Sequence, residues 1–452
     1  MMKIKELEVS TPQGMAGPLR RESQYVFNYG RGVDPSCEIS LTMPLRAQSY
    51  AGNVLPPIFT MNRPEGWLAQ ELVRRMARLG PMDDMRLLAI TGAHQIGRLN
   101  FKEPGQTDSR RQARIGLRGI LSAGSSAEVF AFLVDQYIDS GISGVQPKIM
   151  APDADRLPLP ADRTTASVAD LIVKSGGAQY PDLAVNEFLC MSAARHAGLT
   201  VPDFWLSNDR QLFVMKRFDI TPEGSRLGFE DMAVLMGKSA DPYGRYKYEG
   251  SYENIARALH LYCAAETPPS LGRLFESVAL SMMVRNGDAH LKNFGVLYDH
   301  PHALQPPRLA PVYDVVTTTA YSYADTRTGR ELTDRTLALK LAGSKSYPSR
   351  EELMNFGRVS CNVSRPGEVV ERIAEGMTRA LQEHGELLSR PMRDLIHREW
   401  DAGRMSYAPI VSRTAQSLSP IESGTQAAPA DDSGTKAQPA HRRRSTRRDL
   451  NR

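Results

Sequence analysis

The chain has 452 residues, 41% hydrophobic and 24% charged, which is ordinary for a globular protein and leaves room for roughly three domains. Its formal charge is +5, and the last twelve residues, HRRRSTRRDLNR, hold six arginines against Asp449 alone. The remainder is close to neutral, which argues against a nucleic-acid face on the folded body. Four scattered cysteines (Cys37, Cys190, Cys263 and Cys361) form no CxxC pair. A disulfide framework or zinc knuckle is therefore not expected, and a reducing compartment is. The opening MMKIKELEVSTPQG carries no apolar core of a signal peptide, and the central run VALSMMV is far too short to span a bilayer. A cytoplasmic protein with no membrane association is the expectation.

Within residues 1–125, EISLTMPL (38–45) alternates as a strand does, and GWLAQELVRRMARLG (66–80) has helical apolar spacing closed by Gly80. Short strands are predicted at 142–150 and 171–174, with the Pro- and Asp-rich APDADRLPLPADRTTA as a loop between them. PDLAVNEFLCMSAARHAG (181–198) reads as a helix ended by Gly198, and 201–219 as two strands around Ser-Asn-Asp. From about residue 250 the pattern turns helical: SLGRLFESVALSMMV (270–284) places Leu271, Leu274, Phe275, Val278 and Met282 on one stripe. FGVLYD and RLAPVYD look like a hairpin, helical text resumes at 367–400, and 409–452 has the composition of a disordered, basic tail.

Between the 270–284 helix and that hairpin lies VRNGDAHLKNFGV (284–296), dense in polar groups. Phosphoryl transfer from ATP needs a carboxylate to take the hydroxyl proton, oxygen ligands for the metal, and a cation on the phosphate oxygens. Kinase catalytic loops place an Asn five residues after the Asp base, and Asp288 and Asn293 have that spacing. Asp314, in APVYDVV, is placed to supply a second metal carboxylate, and Lys292 to neutralise the transferred group. Lys174 ends the strand LIVK, Glu187 lies on the helix after it, and SGISGVQPK (140–148), ending in Lys148, precedes both as a phosphate-covering loop. The order is that of a two-lobed kinase.

Each part also has a plain structural reading. Lys174 could be a strand end with its head in water, Glu187 a solvated helix residue, Asp314 a helix N-cap and His290 a loop hydrogen-bonder. The Asp-x-His of GDAH would suit a dimetal phosphoesterase, but the G-N-H-[DE] such a site needs is missing from the sequence.

Over roughly residues 20–400 the chain resembles the HipA family of bacterial toxin serine/threonine kinases. The matching segments are ISLTMPLR, NVLPPIF, GISGVQPK, LIVKSGG, NEFLCMSAARHAGL, KRFD, FEDMAVLMG, NGDAHLKNFGV and PVYDVV, all in order. The resemblance implies an α+β, two-lobed protein-kinase-like fold. An N-terminal subdomain (1–125) would pack on a small lobe (126–220), followed by a mainly helical large lobe (221–408) and the tail (409–452). It implies ATP and Mg²⁺ as cofactors, a helix-turn-helix antitoxin like HipB as partner, and operator DNA through it. Its protein substrate would be an aminoacyl-tRNA synthetase, with growth arrest or persistence as the outcome.

Carried onto this sequence, Asp288 is the catalytic Asp, with Lys292 beside it, and Asn293 and Asp314 are Mg²⁺ ligands. Lys174, Lys148, Gln146, Ser143, Phe218, His290 and Tyr313 fall at nucleotide-binding positions, with Glu187 supporting Lys174. The loop is where relatives autophosphorylate a serine. Here Gly141 stands at the first of two such positions and Ser143 at the second, so Ser143 is the expected site and Ser140 the weaker one. Lys216 stands where some relatives have an acid. The competing reading is a catalytically impaired co-repressor or scaffold for a DNA-binding antitoxin, in which the basic tail could touch DNA phosphates.

Overall fold

Glu6–Thr11 (β1) alternates buried and half-buried residues and joins an antiparallel sheet with Gly14–Arg21 (β2), Tyr25–Phe27 (β3), Tyr50–Gly52 (β4) and Asn100–Lys102 (β5), ordered β4-β3-β2-β1-β5. The structure is a computed structural model. It describes residues 4–61, 63, 74, 82–92, 95–106, 116–137, 148–151, 170–176, 180–241, 244–324 and 329–409. Two short helices, Pro57–Thr60 (α1) and Asp84–Thr91 (α2), close this part, α2 starting where the Asp83 carboxylate accepts the Arg86 N–H at 2.9 Å. Leu7, Val9, Leu19, Phe27, Phe59 and Phe101 form its core, which continues into Phe229 and Leu297 of the large lobe.

Residues 38–45 are not the strand their alternation predicts. Side chains take the backbone groups a ladder would have used: Ser40 Oγ accepts the Thr42 N–H, Glu230 accepts the Leu41 N–H, and Tyr29 donates to the Met43 carbonyl. The helix expected over 66–80 lies outside the described residues, Arg74 excepted.

Leu117–Ser122 (α3) and Ser126–Tyr137 (α4) cover one face of a second antiparallel sheet. It is built from Lys148–Ala151 (β6), Leu171–Ser175 (β7), Phe204–Leu206 (β8) and Leu212–Lys216 (β9), in the order β6-β7-β9-β8. Leu183–His196 (α5) covers the other face and ends as predicted at Gly198 (φ +72), whose successor Leu199 returns its N–H to the Ala194 carbonyl at 3.0 Å. Burial on both faces explains why β7 reads LIV without alternation. Leu171 and Val173 face α3 and α4, while Ile172 faces the core under α5.

Gly228–Asp231 (β10) pairs with Gly295–Tyr298 (β11), which pairs with Arg308–Leu309 (β12), so the expected hairpin is present. Around it pack Met232–Leu235 (α6), Tyr252–Tyr262 (α7), Thr267–Met283 (α8), Arg350–Asn355 (α9), Pro366–His384 (α10) and Arg390–Tyr407 (α11). The single helical stretch expected at 367–400 is thus two helices, broken after His384 and running on to Tyr407. Buried polar groups join the N-terminal sheet to the rest. Asp219 accepts the Gly97 N–H at 2.7 Å and pairs with Arg217 at 2.6 Å, while Arg226 donates to the Gly97 and Leu99 carbonyls at 2.8 and 3.1 Å. Met1–Pro409 form one compact unit, and 410–452, where the basic tail falls, lie outside the described residues. Among the described residues no helix is long and apolar enough to cross a membrane.

Candidate active site

The two-residue period of β7 puts Lys174 on the same face as Ile172, towards α5. Glu187, one helical turn into α5, is fully buried, and the Lys174 ammonium lies 2.5 Å from its Oε1. The same ammonium reaches Asp314 Oδ1 at 2.6 Å. Burial alone would lower the Lys174 pKa. The carboxylates of Asp314 and Glu187 overcome that and hold it above the ordinary lysine value. Lys174 is therefore neither solvated nor a plain strand end.

Asp314 turns its carboxylate inwards through a left-handed backbone (φ +60), a costly conformation for a residue with a side chain. Its surroundings hold it there. Asn186 of α5 accepts the Thr317 N–H at 3.0 Å and donates to the Thr317 carbonyl at 3.1 Å, and Trp400 of α11 donates to Thr317 Oγ1 at 2.8 Å. Asp314 Oδ2 accepts from Asn293 Nδ2 at 3.0 Å, joining the two residues that the sequence placed 21 positions apart.

Between α8 and β11 the chain turns at Arg285 (φ +59), and Thr318 Oγ1 accepts the Gly287 N–H at 2.7 Å. Asp288 is exposed, with Oδ1 accepting the Tyr248 hydroxyl at 3.0 Å. Asn293 Oδ1 accepts the His290 N–H at 3.1 Å, closing a short 3-10 turn over Leu291–Asn293. The His290 ring is buried against Tyr248. Burial first, then Lys247, lowers its pKa to about 3, so it is neutral, and its Nδ1 finds no hydrogen-bond partner among the described residues. Lys292 donates to the Met61 carbonyl at 3.0 Å and to the Tyr246 hydroxyl at 3.4 Å, so it ties this loop to the N-terminal part. The Tyr313 hydroxyl donates to the Lys292 carbonyl at 2.8 Å, and its ring packs on Phe218 at 5.1 Å.

The structure thus brings together Lys174, Glu187, Asn293 and Asp314, with Asp288 and His290 on the same turn and Phe218 beside Tyr313. Lys148 opens β6, its backbone paired with that of Lys174. Ser140, Gly141, Ser143 and Gln146 lie outside the described residues. Tyr248 and Asn186 were not anticipated. Asn186 sits in the quoted segment NEFLC, one residue before Glu187, whereas nothing in RYKYEG (245–250) shows that Tyr248 reaches Asp288.

Two family profiles match this chain: the HipA N-terminal domain over residues 7–102 and the HipA-like C-terminal domain over 140–384. The chain belongs to the HipA family. Two proteins of Sinorhizobium fredii are similar to it. "Putative kinase Y4dM" is 29% identical over 59% of this chain and 63% of its own length, so the chain spans less than two thirds of that relative. "Putative kinase Y4mE" is 26% identical over 77% of this chain and 84% of its own length. HipA of Shewanella oneidensis MR-1, solved in a complex with HipB and its operator DNA, superposes with a TM-score of 0.63. The match covers 89% of this chain and 96% of that one at 18% identity, so it shows the shared fold. The α+β, two-lobed, kinase-like architecture with a HipA N-terminal part is therefore the fold of this chain.

Proposed function

We propose that this HipA-family chain is a cytoplasmic toxin kinase that transfers the γ-phosphoryl of ATP to a serine or threonine hydroxyl of a protein. The carrying observation is the buried Lys174 ammonium held between Glu187 and Asp314, with Asn293 on the other oxygen of Asp314. A plain strand-end lysine would not sit between two carboxylates.

An oxygen-only pair, the Asp314 carboxylate and the Asn293 amide, suits a hard ion such as Mg²⁺. His290 Nδ1, which has no hydrogen-bond partner among the described residues, supplies a further polar atom in the loop that carries Asn293. The residues present therefore fit the cofactor. Mg-ATP, when bound, supplies the phosphoryl group and a cation on its oxygens. In our reading Asp288 would take the proton of the acceptor hydroxyl as the hydroxyl oxygen bonds to the γ-phosphorus and the bond to the bridging oxygen breaks, releasing ADP, and Tyr248 orients that carboxylate. Asn293, whose amide oxygen accepts the His290 N–H here, and Asp314 would hold the metal through their side-chain oxygens. Lys174 and Lys148 meet phosphate oxygens, with Ser143 and Gln146 in the covering loop, while Phe218, His290 and Tyr313 line the nucleotide. Lys292 neutralises the transferred group by exchanging the Met61 carbonyl for a phosphate oxygen.

The division into 1–125, 126–220, 221–408 and 409–452 belongs to the same proposal. So do autophosphorylation at Ser143 or Ser140, an aminoacyl-tRNA synthetase as substrate, and growth arrest or persistence as the result. Neutralisation by a HipB-like helix-turn-helix antitoxin, and operator DNA through it, rest on the family and on the assembly of the Shewanella protein. Replacing Asp288 by Asn tests the core of this. Phosphate transfer from γ-labelled ATP should fall by about 10²–10⁴-fold, with growth inhibition relieved and the melting temperature unchanged. A variant that still transfers phosphate and still arrests growth overturns the assignment.

A further inference from the structure

We infer that His196, Glu383 and His384 form a transition-metal site, suited to Zn²⁺, that pins helix α5 to helix α10. His196 is the last residue of α5, and Glu383 and His384 are the last two of α10. His196 Nε2 lies 3.0 Å from Glu383 Oε2, and His384 Nε2 lies 3.8 Å from the same oxygen. One ligand atom from each of the three residues fits within a 4.8 Å cluster. Two ligands on a tetrahedral zinc with bonds of about 2.0–2.2 Å stand roughly 3.3 Å apart, so the two histidine–carboxylate distances already lie within about half an ångström of that spacing, and side-chain rotation of up to about 1.5 Å would close the trio on one ion. Two imidazoles and a carboxylate are a zinc donor set, whereas Mg²⁺ prefers oxygen alone.

An ion pair of His196 with Glu383 accounts for one of the imidazoles only. Bringing both imidazoles to one carboxylate oxygen as cations sets like charges together, and bringing both neutral leaves the carboxylate charge uncompensated. A divalent cation accepts all three at once. The His384 ring is already held, edge-on at 5.1 Å to Phe188, the residue after Glu187 on α5. Glu383 is half-exposed, so a fourth position is open to water.

The position of the trio gives the site a consequence. α5 carries Glu187 nine residues before His196, and α10 is its main packing partner along the large lobe. An ion held by both helices fixes α5 along its own axis, and with it the carboxylate that meets Lys174. Metal binding itself does not depend on the kinase reading.

The full chain, stripped with EDTA and then titrated with ZnCl₂ in excess Mg²⁺ and no nucleotide, tests the site. One equivalent of zinc should bind, and His196→Gln and His384→Gln should each weaken it at least about tenfold while the circular dichroism stays unchanged. Zinc-edge absorption of the wild-type chain should show imidazole nitrogen and carboxylate oxygen, which keeps the test decisive if a variant misfolds. No bound zinc, binding by both variants as tight as that of the wild-type chain, or a sulfur shell around the ion would each overturn the proposal.

Discussion

Lys174 shows how one side chain can hold a site together. Its ammonium and the Glu187 carboxylate are both buried, whereas Asp314 keeps 29% of its side chain exposed and can still be solvated. Deleting one member of a buried pair strands the other charge, at a cost of about 3–5 kcal/mol. Lys174→Met should therefore lose about that much in urea unfolding, and Lys174→Met with Glu187→Leu should regain most of it. Equal losses in the single and double variants would show that Glu187 is not charged in the folded chain. The sequence made Lys174 and Glu187 candidates by their order on a strand and the following helix. It could not show that Asp314, 140 positions on, shares the same ammonium, because that contact depends on a left-handed turn and on Asn186 and Trp400 holding Thr317.

At the scale of the element, the close approach of α5 and α10 depends on Gly376. A Cβ there would stand 2.5 Å from the Ala193 carbonyl oxygen and 2.8 Å from the Ala197 nitrogen, both backbone atoms with little room to move. Alanine is the better helix former by roughly 0.5–1 kcal/mol, but overpacking costs about 1–3 kcal/mol, so Gly376→Ala should be net destabilising. Gly272, within α8, would meet nothing within 4 Å, and Gly272→Ala should hold or raise stability by up to about 1 kcal/mol. Thermal unfolding of the two variants should move in opposite directions. Apolar periodicity made α8 legible, and a run of apolar residues closed by Gly198 did so for α5, which is buried almost all round. Periodicity misled at 38–45, where Ser40, Glu230 and Tyr29 satisfy an irregular backbone, and it ran α10 and α11 together across 385–389.

For the molecule as a whole, Glu230 marks the seam between the N-terminal sheet and the large lobe. It accepts from Ser40 Oγ and the Leu41 N–H, both at 2.8 Å, and from the Tyr298 hydroxyl. Burial outweighs these donors and pushes its carboxyl up from 4.5 to about 7. Between those values the folded chain binds the extra proton, so this group's contribution to stability falls as pH rises from about 4.5 to 7, and its full cost remains above 7. His290, kept neutral by burial, pulls the opposite way as pH falls below 6.5. Comparison with Glu230→Gln isolates the Glu230 part: the variant should lose a slope worth up to about 3 kcal/mol between pH 5 and 8, read from urea midpoints. By itself the sequence pointed to the family, laid out most helices and strands after residue 180, and named Lys174, Glu187, Asp288, Asn293 and Asp314 as candidates. The elements follow from local periodicity and the candidates from residue types at fixed spacing, whereas the family follows from the resemblance of whole segments in order. Only the tertiary structure decided that Tyr248 reaches Asp288, that Lys292 binds the Met61 carbonyl, that Glu230 is buried in a seam, and that His196 meets Glu383 and His384. Each of these joins residues dozens to more than two hundred positions apart, and such distances close only when separate elements pack.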